Sequence, residues 1–83
     1  MTGRRFEATP EEQEIAEWMV SEVQQNGRLY QERAVRTIAS RFGKEFTYSN
    51  ASGNPAISRR VLRVFNEIKP EGVDWDRWDR SWA

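Results

Sequence analysis

The sequence predicts a mainly α domain with a small β element: three helices around one thin core, followed by an aromatic C-terminal hairpin or turn. Three observations predict it. Apolar residues recur at helical spacing in three stretches, each bounded by helix start or stop signals. Phe46-Thr47-Tyr48 has the composition and alternation of a short strand. The C-terminal segment sets Trp75, Trp78 and Trp82 among charged residues, a pattern suited to a half-buried element. A chain of 83 residues makes one domain. At that size roughly 60–65% of the unfolded surface is buried, so every large apolar side chain counts.

The first helix opens at Thr9-Pro10-Glu11-Glu12. Thr9 suits the cap, Pro10 the first helical position, and Glu12 completes a capping box. Acids there also favour the positive end of the helix dipole. The helix is expected to run to about residue 25 and to stop at Asn26-Gly27. Ile15, Met19 and Val23 form its apolar stripe, with Ala16, Trp18 and Val20 beside it and Glu11, Glu14, Glu17 and Glu22 mainly off it. Residues 1–8 read as a flexible N-terminal segment and residues 9–83 as the single helical domain.

Leu29-Tyr30 reads as a short extended link to a second helix over 31–42, in which Ala34, Val35, Ile38 and Phe42 share a face and Gly43 ends the run. Ser49 to Pro55 is the most turn-rich stretch, too long for a two-residue turn, so a loop or irregular hairpin is expected. Ser58 then suits a third cap, and Ile57 and Leu62 have the spacing of a hydrophobic staple. Val61, Leu62, Phe65 and Ile68 point one way, while Arg59, Arg63 and Asn66 point roughly opposite, with Arg60 and Glu67 flanking. Pro70 and Gly72 end this helix. In the tail, Trp75, Trp78 and Trp82 fit a helical turn, whereas Val73, Trp75 and Arg77 alternate as in a strand. In either form the tail is expected to fold back over the core. The expected core centres on Trp18, Met19, Ile38, Phe42, Leu62 and Phe65.

Zero net charge conceals an uneven layout. Residues 1–27 carry a net of −4, residues 28–69 carry nine Lys/Arg against Glu32, Glu45 and Glu67 for a net of +6, and residues 70–83 carry −2. A basic middle lies between acidic ends.

Composition excludes several classes. The chain has no cysteine, so it forms no disulfide and no thiolate metal site, which suits the cytoplasm. It has no histidine, the commonest general base and metal ligand. No apolar run is long enough for a membrane span, and no hydrophobic stretch follows Arg4-Arg5 to make a secretory signal. Asp74, Asp76 and Asp79 lack the glycine and terminal glutamate of a calcium loop. No cofactor or metal is expected, and no paired catalytic signature marks an enzyme.

The run from Tyr48 to Phe65, Tyr48-Ser49-Asn50-Ala51-Ser52-Gly53-Asn54-Pro55-Ala56-Ile57-Ser58-Arg59-Arg60-Val61-Leu62-Arg63-Val64-Phe65, has Leu29-Tyr30-Gln31 upstream and tryptophans downstream. Over roughly residues 10–82 it resembles a group of small bacterial proteins of unknown function found in phage-like and integron gene-cassette settings. The order helix, extended link, helix, loop, helix, aromatic tail also resembles winged-helix domains. That resemblance implies a helix-turn-helix core whose tail supplies the wing. The chain departs from a tight helix-turn-helix in the long connection 43–57.

A binding module is therefore expected. Arg59, Arg60, Arg63 and Lys69 are the sharpest candidates: Arg59, Arg63 and Asn66 have the chemistry to read a DNA major groove, where arginine pairs with guanine and asparagine with adenine. Arg33, Arg36 and Arg41 would then hold phosphates. The alternative is a protein-interaction module or homodimer, in which the acidic first helix of one copy meets the basic middle of another. Under that alternative the arginines are an ordinary solvated face. The three tryptophans read either as base-stacking or partner-binding groups or as caps on a small core. Asn50, Ser52, Gly53 and Asn54 read either as an anion-binding nest or as a plain turn.

Overall fold

The computed structural model describes residues 6–83, in the order α1 (Pro10–Asn26), β1 (Leu29–Tyr30), α2 (Gln31–Arg41), a 3-10 turn (Lys44–Phe46), β2 (Thr47–Ser49), β3 (Pro55–Ile57), α3 (Arg59–Ile68), β4 (Trp75–Asp76) and β5 (Ser81–Trp82). The fold is mainly α with small antiparallel sheets. Of the N-terminal segment expected to be flexible, residues 1–5 lie outside the described residues, and Phe6 and Ala8 pack against the core.

The capping box forms at the start of α1. Thr9 Oγ1 accepts the Glu12 N–H at 3.1 Å, and Glu12 Oε1 accepts the Thr9 N–H at 2.9 Å, so two end donors are satisfied reciprocally. Gly27 closes the helix with φ 78°, a left-handed conformation that glycine adopts without a Cβ clash, and donates to the Val23 carbonyl at 2.7 Å. Ile15, Ala16, Met19 and Val23 are buried along the expected stripe.

The link Leu29-Tyr30 is a strand. It pairs antiparallel with β5 (Leu29 with Trp82, Tyr30 with Ser81), and β5 pairs with β4 (Trp75 with Trp82), giving a three-stranded sheet in the order β1-β5-β4. The tail is therefore a hairpin and not a helical turn, with its strands confined to Trp75–Asp76 and Ser81–Trp82. Only Trp82 enters the core, where it meets Phe65 edge-on at 5.7 Å between centroids. Trp78, at the hairpin tip, is 86% exposed, so the reading of the three rings as core caps holds for Trp82 and not for Trp78. Asp76 Oδ1 shapes the tip by accepting the N–H groups of Trp78 and Asp79. Arg28 ties the hairpin down, donating to Ser81 Oγ at 2.6 Å and lying 3.4 Å from Asp79 and 3.7 Å from Asp76.

Between α2 and α3 the turn-rich run forms a second hairpin, β2–β3, in place of a tight helix-turn-helix turn. The strand begins at Thr47, one residue later than expected, because Phe46 completes the preceding 3-10 turn. Asn50 organises the loop: its Oδ1 accepts from Ser52 and Asn54, and its carbonyl accepts from Gly53. Those backbone donors are thereby consumed, which decides for the plain turn over the anion nest.

In α3, Val61, Val64 and Phe65 are buried against the rest of the core, chiefly against α1. Ser58 occupies the cap position, but its side chain makes no capping hydrogen bond, a correction to the sequence reading. Ile68 is exposed at 37%, a correction to the sequence reading, and Val64, which that reading left out of the stripe, is buried. Met19, Ile38 and Phe65 lie at the centre as expected, whereas Trp18, Phe42 and Leu62 sit half-buried at its edge. Trp18 and Phe42 form a tilted pair there, 6.5 Å apart.

Candidate nucleic-acid interface

Helix α3 sorts its side chains by angle. With Val61, Val64 and Phe65 committed to the core, the 100° step per residue leaves Leu62, Asn66, Arg59, Arg63, Glu67 and Arg60 in that order around the outer surface. Arg59, Arg63 and Asn66 are exposed and share the outer face. The Arg59 guanidinium lies 5.9 Å from the Tyr48 ring centroid on the β2–β3 hairpin. The Arg63 guanidinium lies 4.3 Å from the Phe6 centroid and 3.8 Å from Glu67, an exposed pair one helical turn along. Such contacts are weak in water and leave both arginines able to exchange partners.

Arg60 belongs to a different structure. Its Nε donates to Glu12 Oε2 at 2.6 Å, its Nη2 to Glu12 Oε1 at 3.2 Å and to the Glu7 carbonyl at 2.8 Å, and its guanidinium covers the Phe6 ring at 4.8 Å. This fork fastens the start of α1 to the start of α3. The Arg60 hydrogen bond holds the buried Glu12 carboxyl below its usual range, overcoming burial, which pushes the other way; the Thr9 N–H adds to the lowering. Glu12 in turn raises the pKa of Arg60. Sequence reasoning groups Arg60 with Arg59 and Arg63 as a ligand-facing residue; the structure binds it intramolecularly. The missed signal is Glu12 itself, a capping residue with a second carboxylate oxygen to offer.

The α2 arginines lie elsewhere. Arg33 and Arg36 line a groove of about 480 Å³ with Arg80, Asn54 and Pro55. Two acids, Glu32 and Asp79, also line it, and Arg33 and Arg36 sit near Glu22 (3.7 Å) and Glu32 (3.4 Å). Arg41 lies apart, over Phe42. Lys69 is drawn to Asp74 at 3.3 Å, away from the outer face of α3.

A second cleft, of about 350 Å³, runs beside α3 and is lined by Leu62 and Asn66, by Tyr48 and Asn50 of the hairpin, by Gln31, and by Trp75. Gln31 borders both grooves, so they adjoin. Sequence reasoning misses this cleft because its walls come from residues far apart in the chain. Of its wall residues, sequence reasoning marks Trp75 and Trp82 for base stacking and Asn66 for base contact.

Among the described residues, no group of three or more Asp or Glu side chains is placed to hold a metal ion, and no helix is long and apolar enough to cross a membrane. No curated protein and no solved structure matches the chain. A family model matches residues 11–83, nearly the whole domain, and by that match the chain belongs to a family of unknown function (DUF6953).

Proposed function

We propose that this protein is a non-enzymatic nucleic-acid-binding module built on a winged-helix plan, with α3 as its reading element. The observation that carries the reading is the division of α3: one side puts Val61, Val64 and Phe65 in the core, and the other offers Arg59, Arg63 and Asn66 to solvent. These are the side-chain types that pair with base edges and phosphates. The order α1-β1-α2-α3-β4-β5 with sheet order β1-β5-β4 supports the winged-helix plan, with β2–β3 as an insertion between α2 and α3. The β4–β5 turn, with Arg77, the exposed Trp78 and Arg80, then stands where the wing would stand. Arg33, Arg36 and Arg80 supply phosphate contacts from the neighbouring groove. Absence of cysteine suits a reducing cytoplasm, where such a module would work.

The test is a binding titration with labelled oligonucleotides at two salt concentrations. Affinity that falls steeply with salt, and falls again in the Arg59→Ala/Arg63→Ala double variant, is expected. Unchanged affinity in the double variant would remove α3 as the reading element. A two-subunit particle that splits on reversing the exposed Glu14 and Glu17 to lysine, with no oligonucleotide bound, would favour the protein-interaction alternative.

A further inference from the structure

We propose that the nucleic acid is single-stranded, and that its unpaired bases enter the cleft between Tyr48 and Trp75. This rests on the nucleic-acid reading above and names the ligand class it implies.

Three aromatic residues line the cleft, the buried Trp82 and the exposed Tyr48 and Trp75. Tyr48 is 39% and Trp75 42% exposed, although both are large rings that a small domain has reason to bury. Trp75 is held in place by Trp82, 4.6 Å away between centroids, and Trp82 is locked against Phe65. Half-exposed rings of this kind are stacking platforms for bases, which all present a π-face.

The same cleft carries three amide side chains with defined polarity. Gln31 spends its Nε2 on the Pro55 carbonyl at 2.9 Å, which leaves its Oε1 as an acceptor. Asn50 spends its Oδ1 on the N–H groups of Ser52 and Asn54, which leaves its Nδ2 as a donor. Asn66 is exposed and offers both. Donors and acceptors beside an aromatic wall match the Watson–Crick edge of a base, which is accessible only when the base is unpaired.

The adjoining groove supplies the path for the backbone. Arg33, Arg36 and Arg80 there outnumber Glu32 and Asp79, and Gln31 sits at the junction. A strand crossing that junction places phosphates by the arginines and bases by the rings. A duplex is the poorer fit. Tyr48 and Asn50 of the β2–β3 hairpin wall the cleft on the Leu62–Asn66 side of α3, whereas major-groove reading requires a helix side free to enter a channel about 12 Å wide.

The experiment is fluorescence anisotropy with a labelled single strand of about 12 nucleotides and with its duplex, at low salt. The protein is used as wild type and as Tyr48→Ala, Tyr48→Phe and Asn66→Ala variants, each checked for an unchanged melting curve. The strand is expected to bind at least tenfold more tightly than the duplex. Tyr48→Ala is expected to weaken strand binding about tenfold and Tyr48→Phe to restore it, because the ring carries the stacking. Duplex binding equal to or tighter than strand binding, or strand binding indifferent to Tyr48→Ala, overturns the inference. In that event, sensitivity of duplex binding to Arg59→Ala/Arg63→Ala keeps the nucleic-acid reading. Binding of neither form removes both.

Discussion

Arg60 Nε lies 2.6 Å from Glu12 Oε2, so the residue that caps α1 is also the anchor of α3. Glu12 is buried, 5% exposed, and its two oxygens serve Thr9 and Arg60 together. Removing it breaks a helix cap and an inter-helix tie at once. Glu12→Ala is expected to destabilise the domain by about 1–2 kcal/mol, the upper range for loss of a cap. That amounts to a fall in Tm of roughly 4–16 °C for a domain of this size, read by thermal denaturation.

The same pair sets a pH dependence. The folded-state pKa of Glu12 is depressed below its ordinary 4.5. Its contribution is therefore fully present above that value and is lost as pH falls through the lower folded-state pKa. Urea midpoints measured from pH 6 downward are expected to drop below about pH 4.5, and Glu12→Gln is expected to flatten that drop. An equally steep drop in Glu12→Gln would place the acid sensitivity elsewhere.

Arg60 and its neighbours on α3 separate stability from binding. Arg60→Ala is expected to lower Tm while leaving oligonucleotide affinity nearly unchanged, because its donors face Glu12, Glu7 and Phe6. Arg59→Ala and Arg63→Ala are expected to behave the opposite way. Their surface pairings contribute little to stability, and each substitution should weaken binding by about 1–3 kcal/mol where the side chain meets a base. Paired thermal melts and anisotropy titrations distinguish the two patterns.

The tail tryptophans divide just as sharply. Trp82 is 4% exposed and bridges Phe65 and Trp75, so Trp82→Ala is expected to cost about 3–5 kcal/mol. That is a large share of the roughly 5–15 kcal/mol that holds a typical domain folded. Trp78→Ala removes a side chain that touches little and is expected to stay within about 0.5 kcal/mol of wild type. Chemical denaturation of both variants checks the contrast.

The parts of this fold legible in the sequence are the local ones. The Thr9–Glu12 box, the Gly27 stop and the stripe from Ile15 to Val23 each lie within a few residues of chain, where spacing alone determines geometry. The pairing of Leu29 with Trp82 spans almost the whole domain, and no local pattern in a two-residue strand announces it. The tail is ambiguous in sequence for the same reason, since its tryptophans fit a helical turn and Val73, Trp75 and Arg77 a strand until β1 supplies a partner. At the candidate site, periodicity correctly turns Arg59, Arg63 and Asn66 outward. It also sets Arg60 correctly at the flank of that face, but cannot show its partner, a carboxylate 48 residues earlier. The Tyr48–Trp75 cleft is likewise beyond a linear reading, because the β2–β3 hairpin and the tail meet only in the folded chain.

The most direct test is a salt titration of oligonucleotide binding by wild-type protein and by the Arg59→Ala/Arg63→Ala variant, between about 50 and 200 mM salt. The prediction is log affinity that falls linearly with log salt for wild type. The variant should bind more weakly, with a slope shallower by about 0.7–0.9 for each phosphate that the two arginines no longer neutralise. Identical affinities and slopes for the two proteins, or no binding by wild type at the lowest salt, would contradict the assignment of α3 as a nucleic-acid-binding face.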